Sequence, residues 1–124
     1  MNGSIAGSTI KPMQPEALKA LVLDALERLK AENIAVLEVK QYASFTDYMV
    51  FASGASNRHV SAIAEAVIEA AKQAGHPPLG VEGLEVGDWV LVDLGDVVMH
   101  VMLTATRAFY ELEKLWGEEM ADSA

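Results

Sequence analysis

The sequence predicts a single α/β domain in which helices flank a mixed sheet of about five strands, a common sheet size. Segments with helical spacing of apolar residues alternate with short segments rich in valine, isoleucine and leucine along the 124 residues, as in helices packed on a sheet. The length suits one hydrophobic core. The composition, 52% hydrophobic and 22% charged, is that of a globular protein.

The first part of the chain predicts one helix and two strands. Apolar residues recur at helical spacing from Pro15, so a helix is expected over residues 15–32, with Asn33 at its exit. Residues 34–39, IAVLEV, predict a strand. Residues 48–53, YMVFAS, are almost continuously apolar, which predicts a strand that is central in the sheet or covered on both faces.

A turn and a second helix are predicted next. The segment GASNRH at residues 54–59 suits a turn from strand into helix, with Ser56 capping the free amides of the first turn. The helix is expected to stop at Gly75, just before the sequence HPP. Residues 79–86 predict a weaker strand, because two glycines interrupt it.

The clearest hairpin lies at residues 88–102, DWVLVDLGDVVMHVM, where Gly95 and Asp96 suit a two-residue turn. This register places Leu94 opposite Val97, and side chains then alternate between two faces. One face is entirely apolar, which predicts that it packs in the hydrophobic core. The other, here called the mixed face, holds Trp89, Leu91, Asp93, Val98, His100 and Met102, with Trp89 opposite Met102, Leu91 opposite His100 and Asp93 diagonal to His100.

The mixed face has two interpretations, because burying an unpaired carboxylate or imidazole is costly. In the first, the face is partly open and offers aromatic and aliphatic anchors with a polar rim, as protein-binding hot spots do. In the second, a third helix covers the face, Trp89 belongs to the core, and Asp93 and His100 form a satisfied buried pair. The sequence leaves both open.

The end of the chain predicts a third amphipathic helix over residues 105–116, ended by Gly117. We therefore expect three parts: a flexible tail at residues 1–14, which are rich in Gly, Ser and Thr, the domain at residues 15–117, and a short acidic tail at residues 118–124.

Composition and charge exclude several classes of protein. The chain has no cysteine, which excludes disulfide frameworks, zinc-thiolate sites and thiol catalysis. Neither a secretory signal nor a membrane-spanning apolar run is present, so a soluble cytoplasmic protein is expected. The net charge of −9 repels free nucleic acid and favours a basic protein partner, although it also serves solubility alone.

The turn before the second helix raises an alternative function. Helix-terminal amides attract anions, and Arg58 and His59 add positive charge there. A nucleotide-binding or nucleotidyl-transfer enzyme using Gly54, Ser56 and Asp93 is therefore the alternative hypothesis. Capping by Ser56 explains the turn without a ligand, and neither a P-loop nor a dinucleotide motif occurs. The three histidines show no metal-ligand or triad spacing, so we expect no catalytic residue, metal or cofactor.

Four separated blocks resemble the ribosomal silencing factor family, also called the Iojap family. They are TDYMVFASGASNRHVSAIAEAV, PLGVEG, DWVLVDLGDVVMHVM and RAFYELEKLW, and the resemblance runs from about Leu18 to Trp116. It implies a nucleotidyltransferase-like fold without that chemistry. It also implies a cytoplasmic translation repressor that binds large-subunit ribosomal protein fourteen (uL14 type), blocks joining of the two ribosomal subunits, and is a homodimer when free. Relatives in organelles act in assembly of the large subunit.

The resemblance also implies which residues bind the partner. The family's Asp-Trp pair maps to Asp88 and Trp89, its Asp-Leu-Gly-Asp turn to residues 93–96, and its His-Val-Met to residues 100–102. Its Ser-x-Arg-His segment maps to residues 56–59. Together with the mixed face, the candidate partner-binding residues are Asp88, Trp89, Leu91, Asp93, His100, Met102, Arg58 and His59.

Overall fold

The structure, a computed structural model, describes residues 13–106. Within them the elements are α1 (Pro15–Arg28), β1 (Glu32–Glu38), β2 (Tyr48–Gly54), α2 (Asn57–Gln73), β3 (Gly80–Glu82), β4 (Trp89–Asp93) and β5 (Val97–Leu103). Residues 104–106 are helical; the rest of the predicted third helix, the acidic tail and most of the amino-terminal tail lie outside the described residues. No helix in this part of the chain is long and apolar enough to span a membrane.

The sheet is mixed and its strand order is β1-β2-β5-β4-β3. β2 and β5 are parallel, whereas the other neighbouring pairs are antiparallel. Every residue of β2 is buried, as its continuous apolar sequence predicts. The prediction of an α/β domain with a mixed five-stranded sheet is confirmed.

The main core lies between the sheet and the two helices. Leu18, Val22 and Leu26 of α1 and Ile63 and Val67 of α2 are fully buried in one cluster with the inward side chains of the central strands. Each such side chain contributes about 1.5–3 kcal/mol by leaving water. This cluster includes Val90, Val92, Leu94, Val97, Met99 and Val101, so the face of the hairpin predicted to be core is core.

The first helix ends earlier than the sequence suggests. The predicted exit at Asn33 is wrong, because α1 stops at Arg28 and Lys30 adopts a left-handed conformation with φ 59°. The amide of Ala31 then donates to the carbonyl of Leu26 at 2.9 Å, which completes a Schellman motif. Asn33 also has a positive φ of 51° and lies where the β1–β2 register shifts.

The predicted strand over residues 79–86 is shorter in the structure. β3 covers three residues, because Gly83 has φ +83° and turns the chain away. The amide of Gly87 donates to the carbonyl of Gly83 at 3.0 Å, closing a turn. Asn57 and Ser61 of α2 hold this turn by donating to the carbonyls of Val86 and Leu84.

The hairpin register agrees with its prediction. Trp89 pairs with Met102 and Leu91 with His100, and the amide of Leu94 donates to the carbonyl of Val97 at 2.9 Å. The turn residue Gly95 has φ 89°, a conformation that glycine adopts without steric cost. The two faces of the hairpin therefore separate as the alternation requires.

Candidate protein-binding site

The mixed face lies on the side of the sheet opposite α1 and α2. Met102 is fully buried and Val98 is nearly so, whereas Trp89, Leu91, Asp93 and His100 are partly exposed. Met102 belongs to a second apolar cluster with Val39, Met49 and Phe51. Of the predicted contact residues, Met102 therefore supports the face from beneath, while the partly exposed ones form its surface.

Trp89 and His100 form a hydrogen-bonded pair on this surface. The indole Nε1–H of Trp89 donates to Nδ1 of His100 at 3.0 Å. Because indole is a donor only, Nδ1 must be unprotonated, and a neutral imidazole carries its proton on Nε2. On the neighbouring strand, the ring of Phe51 stacks on His100 with centroids 5.1 Å apart. Both side chains of the pair are thereby held in fixed orientations.

Burial keeps His100 neutral at physiological pH. Desolvation lowers the pKa of His100 from 6.5 to about 4, because the charged imidazolium loses water without gaining a carboxylate partner. The Asp93–His100 pair considered from the sequence is not formed. Instead, Oδ1 of Asp93 accepts a hydrogen bond from the amide of Gly95 at 2.9 Å, so this carboxylate stabilises the turn.

This neutral histidine predicts a pH dependence of stability. Between the folded-state pKa of about 4 and the ordinary value of 6.5, the unfolded chain binds the proton and the folded chain does not, so stability rises with pH through this window. We expect His100 to lower the free energy of unfolding by on the order of 3 kcal/mol as pH falls from 7 to 4. Urea unfolding between pH 4 and 7 measures this dependence. His100→Gln is the control, because carboxylates also titrate in this pH range. Equal pH slopes for the two proteins would contradict the prediction.

A groove opens beside this pair, with a volume of about 470 Å³, and its lining is Glu82, Trp89, Leu91 and His100. Glu82 is opposite Leu91, and Leu91 is opposite His100, so the three side chains form a row across β3, β4 and β5. Sequence reasoning missed Glu82. The strand containing it was predicted, but neither its partner nor its register could be assigned.

Arg58 and His59 belong to α2, which covers the opposite side of the sheet. The amide of Ala55 donates to Nδ1 of His59 at 3.1 Å, and Nε2 lies 2.8 Å from the carbonyl of Leu29. His59 therefore donates through Nε2 and ties the start of α2 to the end of α1. Arg58 is exposed. The fold does not bring either residue onto the mixed face.

Asp88 lies at the edge of the mixed face. Its side chain is exposed, its carbonyl accepts from the amide of Leu103 at 3.0 Å, and its Oδ1 lies 3.5 Å from the hydroxyl of Thr106. These contacts hold the start of β4 beside the end of β5. Asp88 thus adds negative charge next to Trp89.

The residues of the alternative nucleotide site do not come together. The hydroxyl of Ser56 accepts from the amide of His59 at 3.1 Å, which is the capping role predicted for it. Asp93 pairs with Val98, which is level with Met49 and so about 16 Å along β2 from Gly54. Among residues 13–106, no cluster of three or more His, Asp or Glu side chains is arranged to hold a metal ion.

Comparisons with known proteins agree on one family. A family model described as "Ribosomal silencing factor during starvation" matches residues 12–124. The ribosomal silencing factor RsfS of Chromobacterium violaceum is 45% identical over 105 residues, which span 85% of this chain and 86% of that protein. The mouse protein named mitochondrial assembly of ribosomal large subunit protein 1 is 37% identical over 99 residues, which span 77% of this chain and 43% of the mouse protein.

Solved structures give the same result. A crystal structure of a protein from Chromobacterium violaceum matches with a TM-score of 0.82 at 45% sequence identity, covering 85% of this chain and 88% of that one. Its fold is thus the fold described above, and the family model extends over nearly the whole sequence. The chain belongs to the family of ribosomal silencing factors.

Proposed function

We propose that this chain represses translation in the cytoplasm by binding protein fourteen of the large ribosomal subunit and blocking attachment of the small subunit. It acts by steric exclusion rather than by catalysis, and it is a homodimer when free. Membership of the silencing factor family supports a ribosomal target. The name of the mouse relative, which refers to assembly of the large subunit, supports the choice of subunit.

The observation that carries the proposal is the partly exposed Trp89–His100 pair on the mixed face. Tryptophan is enriched among interface residues that dominate binding energy. The hydrogen bond to His100, 3.0 Å long, already satisfies the indole N–H, so docking a partner against the ring need not leave that donor unpaired. Phe51 and Met102, fully buried beneath, make the surface rigid, which lowers the entropy lost on binding.

The charge of the hairpin region supports a basic partner. From residue 73 to residue 106 the sequence contains five Asp or Glu and no Lys or Arg. A basic ribosomal protein would meet a negative potential there, which speeds association and orients the encounter. Free nucleic acid would be repelled by the same potential.

Sedimentation with isolated subunits tests the proposal. The purified chain is expected to co-sediment with large subunits, to sediment freely with small subunits, and to lower the fraction of joined ribosomes when added before mixing. The chain remaining at the top of the gradient in the presence of large subunits would overturn the proposal. Binding to large subunits without any effect on subunit joining would contradict the steric mechanism but would support the large subunit as the target.

A further inference from the structure

The groove on the mixed face has a floor and three walls of different chemistry. Leu91 lies between Glu82 on one neighbouring strand and His100 on the other, with adjacent strands about 4.8 Å apart. Trp89 precedes Leu91 by two residues and so projects from the same face. The groove therefore has an aliphatic floor, an exposed carboxylate on one side and two aromatic rings on the others.

These groups suit a planar cation with an aliphatic stem. Glu82 provides a charge-assisted acceptor on the rim. The Trp89 indole donates its N–H to His100, and the face of such a ring attracts cations. Because the imidazole of His100 stays neutral when its pKa is lowered to about 4 by burial, it does not oppose a positive charge beside it.

We infer that this groove receives an arginine side chain of the basic protein partner and that Glu82 is the residue that selects its charge. The stem of the arginine lies over Leu91, and the guanidinium contacts the carboxylate of Glu82 and the ring of Trp89. A guanidinium fits better than an ammonium, because it is planar, stacks on aromatic rings and pairs with carboxylates through two parallel hydrogen bonds. This assignment rests on the proposed function for the identity of the partner, while the groove itself can be tested separately.

Glu82→Gln tests the charge with isolated large subunits as the probe. The variant keeps the size and polarity of the side chain and is expected to weaken binding about tenfold, with a smaller difference at high salt. Glu85→Gln is the matched control, because Glu85 is an exposed acid in the adjoining turn that does not line the groove. We expect it to change affinity less than about twofold. Equal effects of the two substitutions would overturn the assignment, while binding by the wild-type chain would still support the proposed function.

A peptide titration tests whether the groove selects a cation, and it does so even if the chain does not bind large subunits. The blocked tripeptide Gly-Arg-Gly is added to the isotope-labelled full chain, and the indole N–H signal of Trp89, identified by its absence in Trp89→Phe, is followed by NMR. The corresponding citrulline peptide has nearly the same shape without the charge. We expect the arginine peptide to shift the signal at least about threefold more than the citrulline peptide and Glu82→Gln to remove that difference. Equal shifts with both peptides, or no shift with either, would show that the groove does not select a cation.

Discussion

Trp89→Ala is expected to weaken binding to isolated large ribosomal subunits by about 2 kcal/mol or more, the scale of a hot-spot truncation. The substitution removes the largest side chain that lines the groove and leaves Nδ1 of His100 without its donor. An unpaired acceptor at a desolvated interface adds to the loss of aromatic contact area. A sedimentation titration gives the affinity, and circular dichroism shows whether the domain is folded.

Two variants separate the contributions of Trp89. Trp89→Phe keeps much of the apolar area but lacks the indole N–H, so its affinity should lie between those of wild type and Trp89→Ala. Phe45→Ala removes an aromatic side chain that is 63% exposed in the connection between β1 and β2, at the other end of the sheet, and should leave binding unchanged. If Trp89→Ala is folded and binds large subunits with wild-type affinity, Trp89 does not belong to the binding site. Unfolding of that variant would favour its interpretation as a core residue.

The mixed face combines features of both interpretations drawn from the sequence. Met102 is core and Val98 is almost fully covered, yet Trp89, Leu91 and His100 line an open groove. A satisfied polar pair is present, but it is partly exposed and has a different partner: His100 accepts a hydrogen bond from the indole of Trp89, whereas Asp93 accepts one from the amide of Gly95. Alternation along a strand predicts which side chains share a face, but how deeply each side chain is buried depends on the residues of neighbouring strands.

The hairpin was predictable because its determinants are local. A two-residue turn fixes the register, and the register fixes both faces. The same holds for the Ser56 cap and for the end of α2, where Gly75 has φ 78°. In each case the interacting groups are a few residues apart in the sequence.

The parts that sequence reasoning missed depend on pairing between distant segments. Phe51 meets His100 through the parallel β2–β5 pair, and Glu82 reaches the groove through the β3–β4 pair. No local pattern specifies either partner. The end of α1 was missed for another reason: Lys30 adopts the left-handed conformation, which glycine or asparagine would have signalled more clearly.

Gly83→Ala is expected to lower the free energy of unfolding by about 3 kcal/mol. Gly83 has φ +83°, and an added Cβ would overlap the carbonyl oxygen of Trp89. The left-handed conformation alone costs alanine about 1–2 kcal/mol, and relieving the overlap must move β3 away from the start of β4. Since β3 carries Glu82, the groove would widen, so affinity for large subunits should fall together with stability.

Gly80→Ala provides the matched control, because the same methyl group is added three residues earlier in the same segment. No atom lies within 4 Å of the Cβ that would be added at Gly80, and its φ is outside the left-handed range. Its stability should remain within about 0.5 kcal/mol of wild type. Urea unfolding of both variants compares them directly. Equal stabilities of the two variants would mean that the turn after β3 relaxes freely and that the position of Glu82 does not depend on Gly83. A loss of stability in Gly83→Ala alone would show that this glycine holds the edge of the groove against Trp89.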